Sequence, residues 1–583
     1  MNRDSIYLPR DVIGLLQTLQ SAGHTAYVVG GCVRDSLLGR TPGDWDICTS
    51  ARPEEMRRLF ADHQLILTGE KHGTVAVVLH GKPYEMTTYR LDGNYHDHRH
   101  PDAVQFVDDL PRDLARRDFT INAMAYAPGK GIIDLYGGRD DLAAGMIRCV
   151  GDPAQRFAED ALRILRALRF SARLGFALDE ATAAAALQAR DTLQSVSAER
   201  IYTEIDGLLG APNAGPTLAK YGEILAGAVP EVQACICCTQ PGRWHCYDVW
   251  QHSAVAVEKL DLRGQDTRGA RVLCWAAFLH DIAKPQCRSV GADGAAHFKG
   301  HNQRGAAMAR TILRRLKAPG YLIEGTTGLI AIHDAPVPAG DTAILKSLNR
   351  YGAVFLHRLC ALKYADLDAH ADTPEVKARR NEVAAFEARM TELSKTACYT
   401  MRQLAVNGGD LMEAGLPAGP AVGATLQRLL TAVMEGRVLN ERAALLEFAL
   451  SGNEKGESMI FGIGTDLCAA DRMAAKLQKP AFVQRVFSPA EQALLNERGG
   501  THRAETAAAN FAAKEAFLKA AGTGLGGFAL TDLTVLRKES GAPYFALTGP
   551  AAEWTAANAL TPHLSLTHEN GLACAFVILE QNK

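Results

Sequence analysis

Residues 451–458 read SGNEKGES, a short polar stretch with no apolar periodicity, and MIFGIGTDL follows at once. This seam constrains the fold more than any other feature, because each side of it carries a full set of element signals. The 583 residues are too many for one hydrophobic core. The part before the seam opens with mixed strand and helix patterns and then becomes almost wholly helical. The part after it, beginning at Met459, returns to strands around one long helix. The expectation is a multidomain α+β chain with a function to be found on each side of the seam.

Bulk composition excludes little but is informative about partners. Hydrophobic residues make up 47% and charged residues 22%, ordinary for a globular protein. The formal net charge of −2 means that nucleic acid, if bound, must be held by local basic clusters. No apolar run is long enough to span a bilayer, and MNRDSIYLPRD lacks the apolar centre of a signal peptide. The thirteen cysteines have no framework spacing, which suits a reducing cytoplasm. Cys235, Cys237, Cys238 and Cys246 are close in sequence, but C-x-C-C is not a zinc-ribbon or finger spacing, so free thiols are expected.

Along the chain, AYVVGG and TVAVVLHG have strand composition and end in glycine. From about residue 155 to 450 the pattern is helical, with breaks near PGRW, DAPVPAGD and NGGDLMEAGLPAGPAVG. IFGIGTD, LTVLRK and LACAFVILE then read as strands. The alanine runs at 183–186 and 507–509 are good helix formers.

Chemistry concentrates in three places. The first is GGCVRDSLLGRTPGDWDI, residues 30–47, after a strand. Gly30 and Gly31 let backbone amides approach an anion, and Arg34 can add charge to a triphosphate site. Asp44 and Asp46, two apart, face one side if extended, with Glu85 in YEMTTYR as a third carboxylate from a neighbouring strand. Such a set suits Mg²⁺ that also holds substrate phosphates. A lone D-x-D would be a solvated turn, but here RRDFTINA follows. In EDALRILRALRFSARLGF, residues 159–176, Asp160, Arg163, Arg166, Arg169 and Arg173 recur every three or four positions and are expected on one helix face.

These motifs, with RRDFTINAMAY and IDLYGGRDDL, resemble the class II tRNA nucleotidyltransferase and bacterial poly(A) polymerase family over roughly the first 215 residues. The resemblance implies that Asp44 and Asp46 carry Mg²⁺, and that a 3′-hydroxyl of RNA attacks a nucleoside triphosphate with pyrophosphate leaving. It implies that Arg117 and Asp118 handle ribose and phosphate. Asp160 and Arg163 would hydrogen-bond the base edge of CTP or ATP, with Arg166 and Arg169 at the triphosphate or tRNA backbone. Residues 403–449 resemble the C-terminal tRNA-binding module of CCA-adding enzymes, which favours CCA addition; poly(A) synthesis and partial (A- or CC-) addition remain as alternatives.

The second place supplies His252 in WQHSAVAVEKL, His280 and Asp281 in WAAFLHDIAKP on an apolar helix before a proline stop, and Asp366 in ADLDAH. The H…HD…D order resembles HD-domain phosphohydrolases, in which four such ligands hold a divalent metal. His297, His301 and His333 could line the same pocket. Phosphatase or cyclic-phosphodiesterase action on RNA ends is one reading, and a metal site that shapes the tRNA-binding body is the other.

The third place follows the seam. FGIGTDLCAADRM supplies Asp466 and Arg472, the helix RAETAAANFAAKEAFLKAA supplies Glu515 and Lys519 four apart, and HLSLTHE supplies His568. By themselves Glu515 and Lys519 would be an ordinary helical salt bridge. In order, GIGTD, FVQRVFSPAE, FAAKEAFLKAAGTG, GAPYF and HLSLTHE resemble holo-acyl-carrier-protein synthase, a small phosphopantetheinyl transferase, over essentially all of 459–583. The resemblance implies Mg²⁺ on Asp466 and Glu515, CoA contacts from Arg472, Lys519 and His568, and transfer to a serine of acyl carrier protein. It also implies a homotrimer with sites between subunits; a non-catalytic oligomerisation role is the alternative. Asn510 stands where the family commonly has arginine, so a cationic CoA contact is expected to be missing.

The expected organisation is a mixed-sheet nucleotidyltransferase head (1–150), a neck with the base-reading helix (151–220), an HD domain (221–380) and a helical tRNA-binding module (381–450). A linker (451–458) and an α+β phosphopantetheinyl transferase domain (459–583) follow. Expected partners are tRNA and acyl carrier protein, with no membrane, and the expected location is the cytoplasm.

Overall fold

The structure is a computed structural model and describes residues 5–92, 104–242, 244–292, 294–451, 459–524 and 526–581. The linker expected at 451–458 lies, apart from Ser451, outside the described residues. The chain forms two compact units, Met1–Tyr399 and Thr400–Lys583. Among the described residues no helix is long and apolar enough to cross a membrane.

The first unit opens with the helix Arg10–Ser21, whose Val12, Leu15, Leu16 and Leu19 recur at helical spacing and are buried. Seven strands then form one sheet in the order Gln64–Ile66, Thr74–Leu79, Lys82–Thr88, Ile47–Thr49, Ala26–Val29, Met124–Ala127, Gly131–Asp134. Ile47–Thr49 runs parallel to Lys82–Thr88 and the other neighbours are antiparallel, so the sheet is mixed as expected. The central strand Ala26–Val29 is buried at every position, consistent with its apolar composition.

From Pro153 onward the unit is helical. Side-chain caps start several of these helices: Asp152 accepts from Ala154 N–H, Asp248 from Gln251 N–H, Asp266 from Gly269 N–H and Thr373 from Val376 N–H. Gly175 ends Leu162–Leu174 at φ 78°, a left-handed stop. The breaks at PGRW and DAPVPAGD fall between helices.

In the second unit Asn407 caps Gly408–Glu413 reciprocally with Asp410, and Pro420 opens Pro420–Met434. The strands Met459–Ala469, Leu572–Gln581 and Leu560–Glu569 form an antiparallel sheet in that order. One face packs on the helix Gly500–Ala521, which presents Ala508, Ala512, Ala513 and Ala516 to the core. The approach is close enough to explain the GIG sequence: a Cβ at Gly462 would lie 1.9 Å from Ala520 O and one at Gly464 2.0 Å from Ala516 O. Gly522, at φ 70°, ends this helix.

Candidate active sites

Asp44 and Asp46 lie in the extended segment leading into Ile47–Thr49 rather than within the strand. Val29 N–H still donates to Asp46 O at 3.0 Å, so the ladder reaches that far. Trp45 between them is buried while Asp44 is exposed, so the alternation directs both carboxylates away from the core. Met86 pairs with Ile47 in the parallel ladder, which brings the preceding residues, Glu85 and Asp46, onto neighbouring strands at one level. Burial, then the charge of Asp44, pushes the Asp46 carboxyl up to about 6; Arg117 opposes this and Glu85 adds to it. Repulsion among three carboxylates is what a divalent cation relieves, so these residues fit Mg²⁺.

Gly30 caps the helix Gly31–Leu37 at φ 84°, and a Cβ there would lie 3.1 Å from Arg117 Nη1. Arg34 lies against the Gly30–Gly31 turn, with Nη2 3.6 Å from where a Cβ at Gly31 would be. It is buried, with Nε donating to Asp35 Oδ1 at 2.8 Å and Nη1 to Asn122 Oδ1 at 2.6 Å. Arg34 therefore ties this helix to the turn Thr120–Asn122, because a buried guanidinium must spend its donors on local acceptors. Arg117 Nη2 donates to Asp113 Oδ2 at 3.3 Å. Asp118 accepts from Phe119 N–H, Asn122 Nδ2 and Arg166 Nε. Burial raises the Asp118 carboxyl, but the Arg166 guanidinium outweighs it and holds the group below the usual carboxylate range.

A cavity of about 760 Å³ lies in the first unit, and Glu85, Arg117, Asp118, Asp160, Arg163, Arg166 and Arg200 are among its lining residues. Asp160 and Arg163 thus meet one space, but not as neighbours on one helix face. Asp160, at φ −145° and ψ 104°, sits in a break between Pro153–Glu159 and Leu162–Leu174. Its Oδ2 accepts from Arg200 Nη2 at 2.8 Å. Arg163 is held by Glu159 Oε2 at 2.6 Å and by the carbonyls of Arg156 and Arg116. Arg169 Nε meets Glu204 Oε2 at 2.5 Å, and its guanidinium lies 4.7 Å from the Phe170 ring centroid. Arg166 shares both partners, 3.9 Å from Glu204 and 5.5 Å from that centroid, so the two arginines keep a common face.

His252, His280, Asp281 and Asp366 do come together. His252 Nε2 lies 2.8 Å from Asp366 Oδ1 and 3.6 Å from Asp281 Oδ2; His280 Nε2 lies 3.2 Å from Asp281 Oδ2. His280 is the C-cap of Thr267–Leu279 and Asp281 lies beyond it, with Pro285 opening a further short helix. Each imidazole Nδ1 of His252, His280, His301 and His333 meets a backbone carbonyl, at 3.2, 2.8, 2.8 and 2.7 Å. With Nδ1 turned to the backbone, Nε2 is the ring atom that faces the other members of the cluster. Among the described residues three ligand groups are compact enough for an ion: His252–His280–Asp281, His252–Asp366–His370 and Asp281–His301–His333. Both Asp281 carboxylate oxygens are buried without a hydrogen bond, although Lys284 Nζ lies 2.7 Å from Oδ2. A buried carboxylate so placed among imidazoles fits a divalent transition metal. His297 is exposed on the short strand Ala296–His297 and does not belong to these groups.

In the second unit Lys519 Nζ meets Asp466 Oδ1 at 2.8 Å and Thr465 O at 3.0 Å, so it reaches across to the strand. Burial, then the charge of Asp466, raises the Glu515 carboxyl, which also hydrogen-bonds with Asp466; Lys519 and Arg472 oppose the shift. Two neighbouring carboxylates beside a lysine fit Mg²⁺ with a pyrophosphate. His568 is exposed on Leu560–Glu569, opposite Ala573, whereas Asp466 is opposite Ala575; within one chain the central strand separates them. Asn510 is fully buried: Nδ2 donates to Glu491 Oε1 and Val535 O, and Oδ1 accepts from Arg537 Nη2. This position serves the core, so the expected loss of a CoA contact does not follow from it.

The poly A polymerase head domain family matches residues 26–148, and the probable RNA and SrmB-binding site of polymerase A matches 175–233. The putative tRNA nucleotidyltransferase domain 2 matches 303–449. The CCA-adding enzyme of Geobacillus kaustophilus is 36% identical over 451 residues, covering 76% of this chain and 97% of that one. The chain belongs to the CCA-adding enzyme family. The CCA-adding enzyme of Leuconostoc mesenteroides is 32% identical, covering 76% of this chain and 97% of its own. The crystal structure of the Bacillus stearothermophilus CCA-adding enzyme in complex with CTP superposes with a TM-score of 0.55 at 31% identity, covering 76% of this chain. Beyond that shared length, the 4′-phosphopantetheinyl transferase superfamily matches residues 462–577.

In this chain, sequence reasoning missed Arg200, Glu204, His370 and His245. SAERIYTE carries Arg200 and Glu204 four apart, a spacing that could have marked both for one helix face. His370 stands four after Asp366 in ADLDAH, and its ring centroid lies 4.8 Å from that of His252. No sequence pattern announced His245, whose ring lies 4.6 Å from His370.

Proposed function

We propose that the chain is a bifunctional transferase: it adds CCA, from CTP and ATP, to tRNA 3′ ends, and it transfers 4′-phosphopantetheine from CoA to a serine of acyl carrier protein. The observation that carries the first activity is the one cavity shared by Glu85, Arg117, Asp160 and Arg163. Asp160 offers an acceptor to an exocyclic amine, and Arg163 a donor to the neighbouring ring nitrogen, a pattern that cytosine and adenine both complement. Asp44, Asp46 and Glu85 would hold Mg²⁺, which neutralises triphosphate charge when bound. Arg117 would steady the leaving pyrophosphate. Purified protein given tRNA lacking CCA and separate nucleotides should add two C residues from CTP and one A from ATP. Long tails from ATP alone would instead favour a poly(A) polymerase.

The second activity is supported by the Asp466–Lys519–Glu515 arrangement. Asp466 and Glu515 would hold Mg²⁺ at the CoA pyrophosphate, and Lys519, with Arg472, would offset the charge of departing 3′,5′-ADP. The serine hydroxyl attacks the β-phosphorus of CoA; the hydroxyl loses its proton and the phosphoanhydride bond breaks. Incubation of apo acyl carrier protein with CoA and Mg²⁺ should add one phosphopantetheine mass. No mass gain would leave the domain an oligomerisation module.

A homotrimer through this domain is supported by its free sheet face, where Ile463, Leu467, Leu572 and Phe576 are 54, 63, 49 and 43% exposed. The histidine–aspartate cluster is proposed to hold a divalent transition metal, with phosphoester hydrolysis on RNA ends as the activity such a site supports. With tRNA and a carrier protein as acceptors, the proposed location is the cytoplasm.

A further inference from the structure

Asp160 occupies a position that its own helix does not fix. At the break between Pro153–Glu159 and Leu162–Leu174, its orientation rests on two bonds. Oδ1 accepts from Leu162 N–H at 3.0 Å, and Oδ2 accepts from Arg200 Nη2 at 2.8 Å. Arg200 comes from another helix, Ala198–Leu209, and lines the same cavity. Its Nη1 is buried and has no hydrogen-bond partner, an unusual state for a guanidinium nitrogen.

We propose that Arg200 is a positioning residue for nucleotide selection, holding the Asp160 carboxylate aimed so that it faces the base as a fixed acceptor. This rests on the base-reading role proposed for Asp160. Cytosine and adenine present an amino group beside an acceptor ring nitrogen; uracil and guanine present a carbonyl beside a ring N–H. A fixed carboxylate binds the first pattern and repels the second. A freely turning carboxylate can swing away from the uracil O4 or guanine O6, and the repulsion that makes the distinction is lost. Arg200 opposes this, because its charged bond to Oδ2 restricts rotation.

The arrangement separates this role from general scaffolding. Arg163, the donor half of the reading pair, is held by Glu159 and two carbonyls without help from Arg200. Glu204 anchors the same helix to Arg169 at 2.5 Å and lies 3.9 Å from Arg166. Losing Arg200 therefore loosens the acceptor half while the donor half and the helix keep their contacts.

The test uses the full chain, tRNA lacking its CCA end, and the ratio of kcat/KM for CTP over UTP and for ATP over GTP. In Arg200→Gln both ratios should fall roughly ten-fold or more, the scale of one charged hydrogen bond. Arg200→Lys, keeping the charge, should recover part of the loss. Asp160→Asn should also lose selectivity, and the double variant should be no worse than Asp160→Asn alone, because the two residues act through one group. Thermal unfolding of each variant confirms that folded protein is compared. If Arg200→Gln slows all four nucleotides equally while Asp160→Asn still loses selectivity, Asp160 reads the base and Arg200 does not position it. If Asp160→Asn leaves selectivity intact, the base-reading role itself falls and the inference falls with it.

Discussion

Two lysines five residues apart in FAAKEAFLKAA should behave in opposite ways. Lys514 and its partner Glu491 have fully buried side chains, and Lys514 Nζ donates to Glu491 Oε2 at 2.6 Å, Val486 O at 2.9 Å and Leu530 O at 2.7 Å. Glu491 also accepts from Ser488 N–H, Val535 N–H and Asn510 Nδ2. Lys514→Met keeps most of the volume but leaves a buried carboxylate without its countercharge and two carbonyls without a donor. Breaking one side of a buried pair costs about 3–5 kcal/mol. For a domain of this size, roughly 3–5 °C per kcal/mol gives a fall on the order of 10–20 °C in its transition. Scanning calorimetry of the full chain measures it. The paired replacement Lys514→Met with Glu491→Leu should recover much of the loss, since removing both charges leaves neither uncompensated. Lys519, 55% exposed, should melt normally as Met while phosphopantetheine transfer is lost. A Lys514→Met transition within about 2 °C of the parent would refute the argument from burial.

Three further outcomes follow from the same reasoning. Equilibrium dialysis with Mn²⁺ or Co²⁺ should show stoichiometric uptake by the histidine–aspartate cluster, lost in Asp281→Ala, whereas uptake unchanged by that variant would place the ion elsewhere. Asp46 has a folded value raised to about 6, so its contribution to the metal-free protein is most favourable below about 4 and is lost as pH rises through 6. Asp46→Asn should therefore raise the melting temperature of the metal-free protein at pH 8 but not at pH 4, while nucleotide addition disappears; equal shifts at both pH values would contradict the cause assigned. Phe576→Glu, on the exposed sheet face, should convert a trimer to monomers in light scattering after gel filtration, and an unchanged mass would remove that face from assembly.

Local patterns foretold what local forces decide. The buried central strand of AYVVGG, the Asn407 cap in NGGD and the left-handed Gly522 each follow from residues close in sequence. The order H…HD…D was enough to bring together His252, His280, Asp281 and Asp366 because each lies at or near the end of a helix that packs on the others. Where spacing was projected onto a regular helix, it failed at the irregular point. Asp160 sits in a break, so its partner is Arg200 from a later helix rather than Arg163. Asn510 was read as a missing surface contact, but it faces the core, where an amide bridges Glu491, Val535 and Arg537. In each case tertiary environment, invisible along the chain, decided what the side chain does.

The central claim is that one chain carries two independent transferase sites, each hinging on an aspartate next to a strand or within it. The direct measurement is to assay both reactions on the same purified preparations of the parent, Asp44→Ala and Asp466→Ala proteins: CTP and ATP addition to tRNA lacking CCA, and phosphopantetheine addition to apo acyl carrier protein. The account requires Asp44→Ala to lose only the first reaction and Asp466→Ala only the second. Loss of both reactions in either variant, or absence of either reaction from the parent, would contradict it.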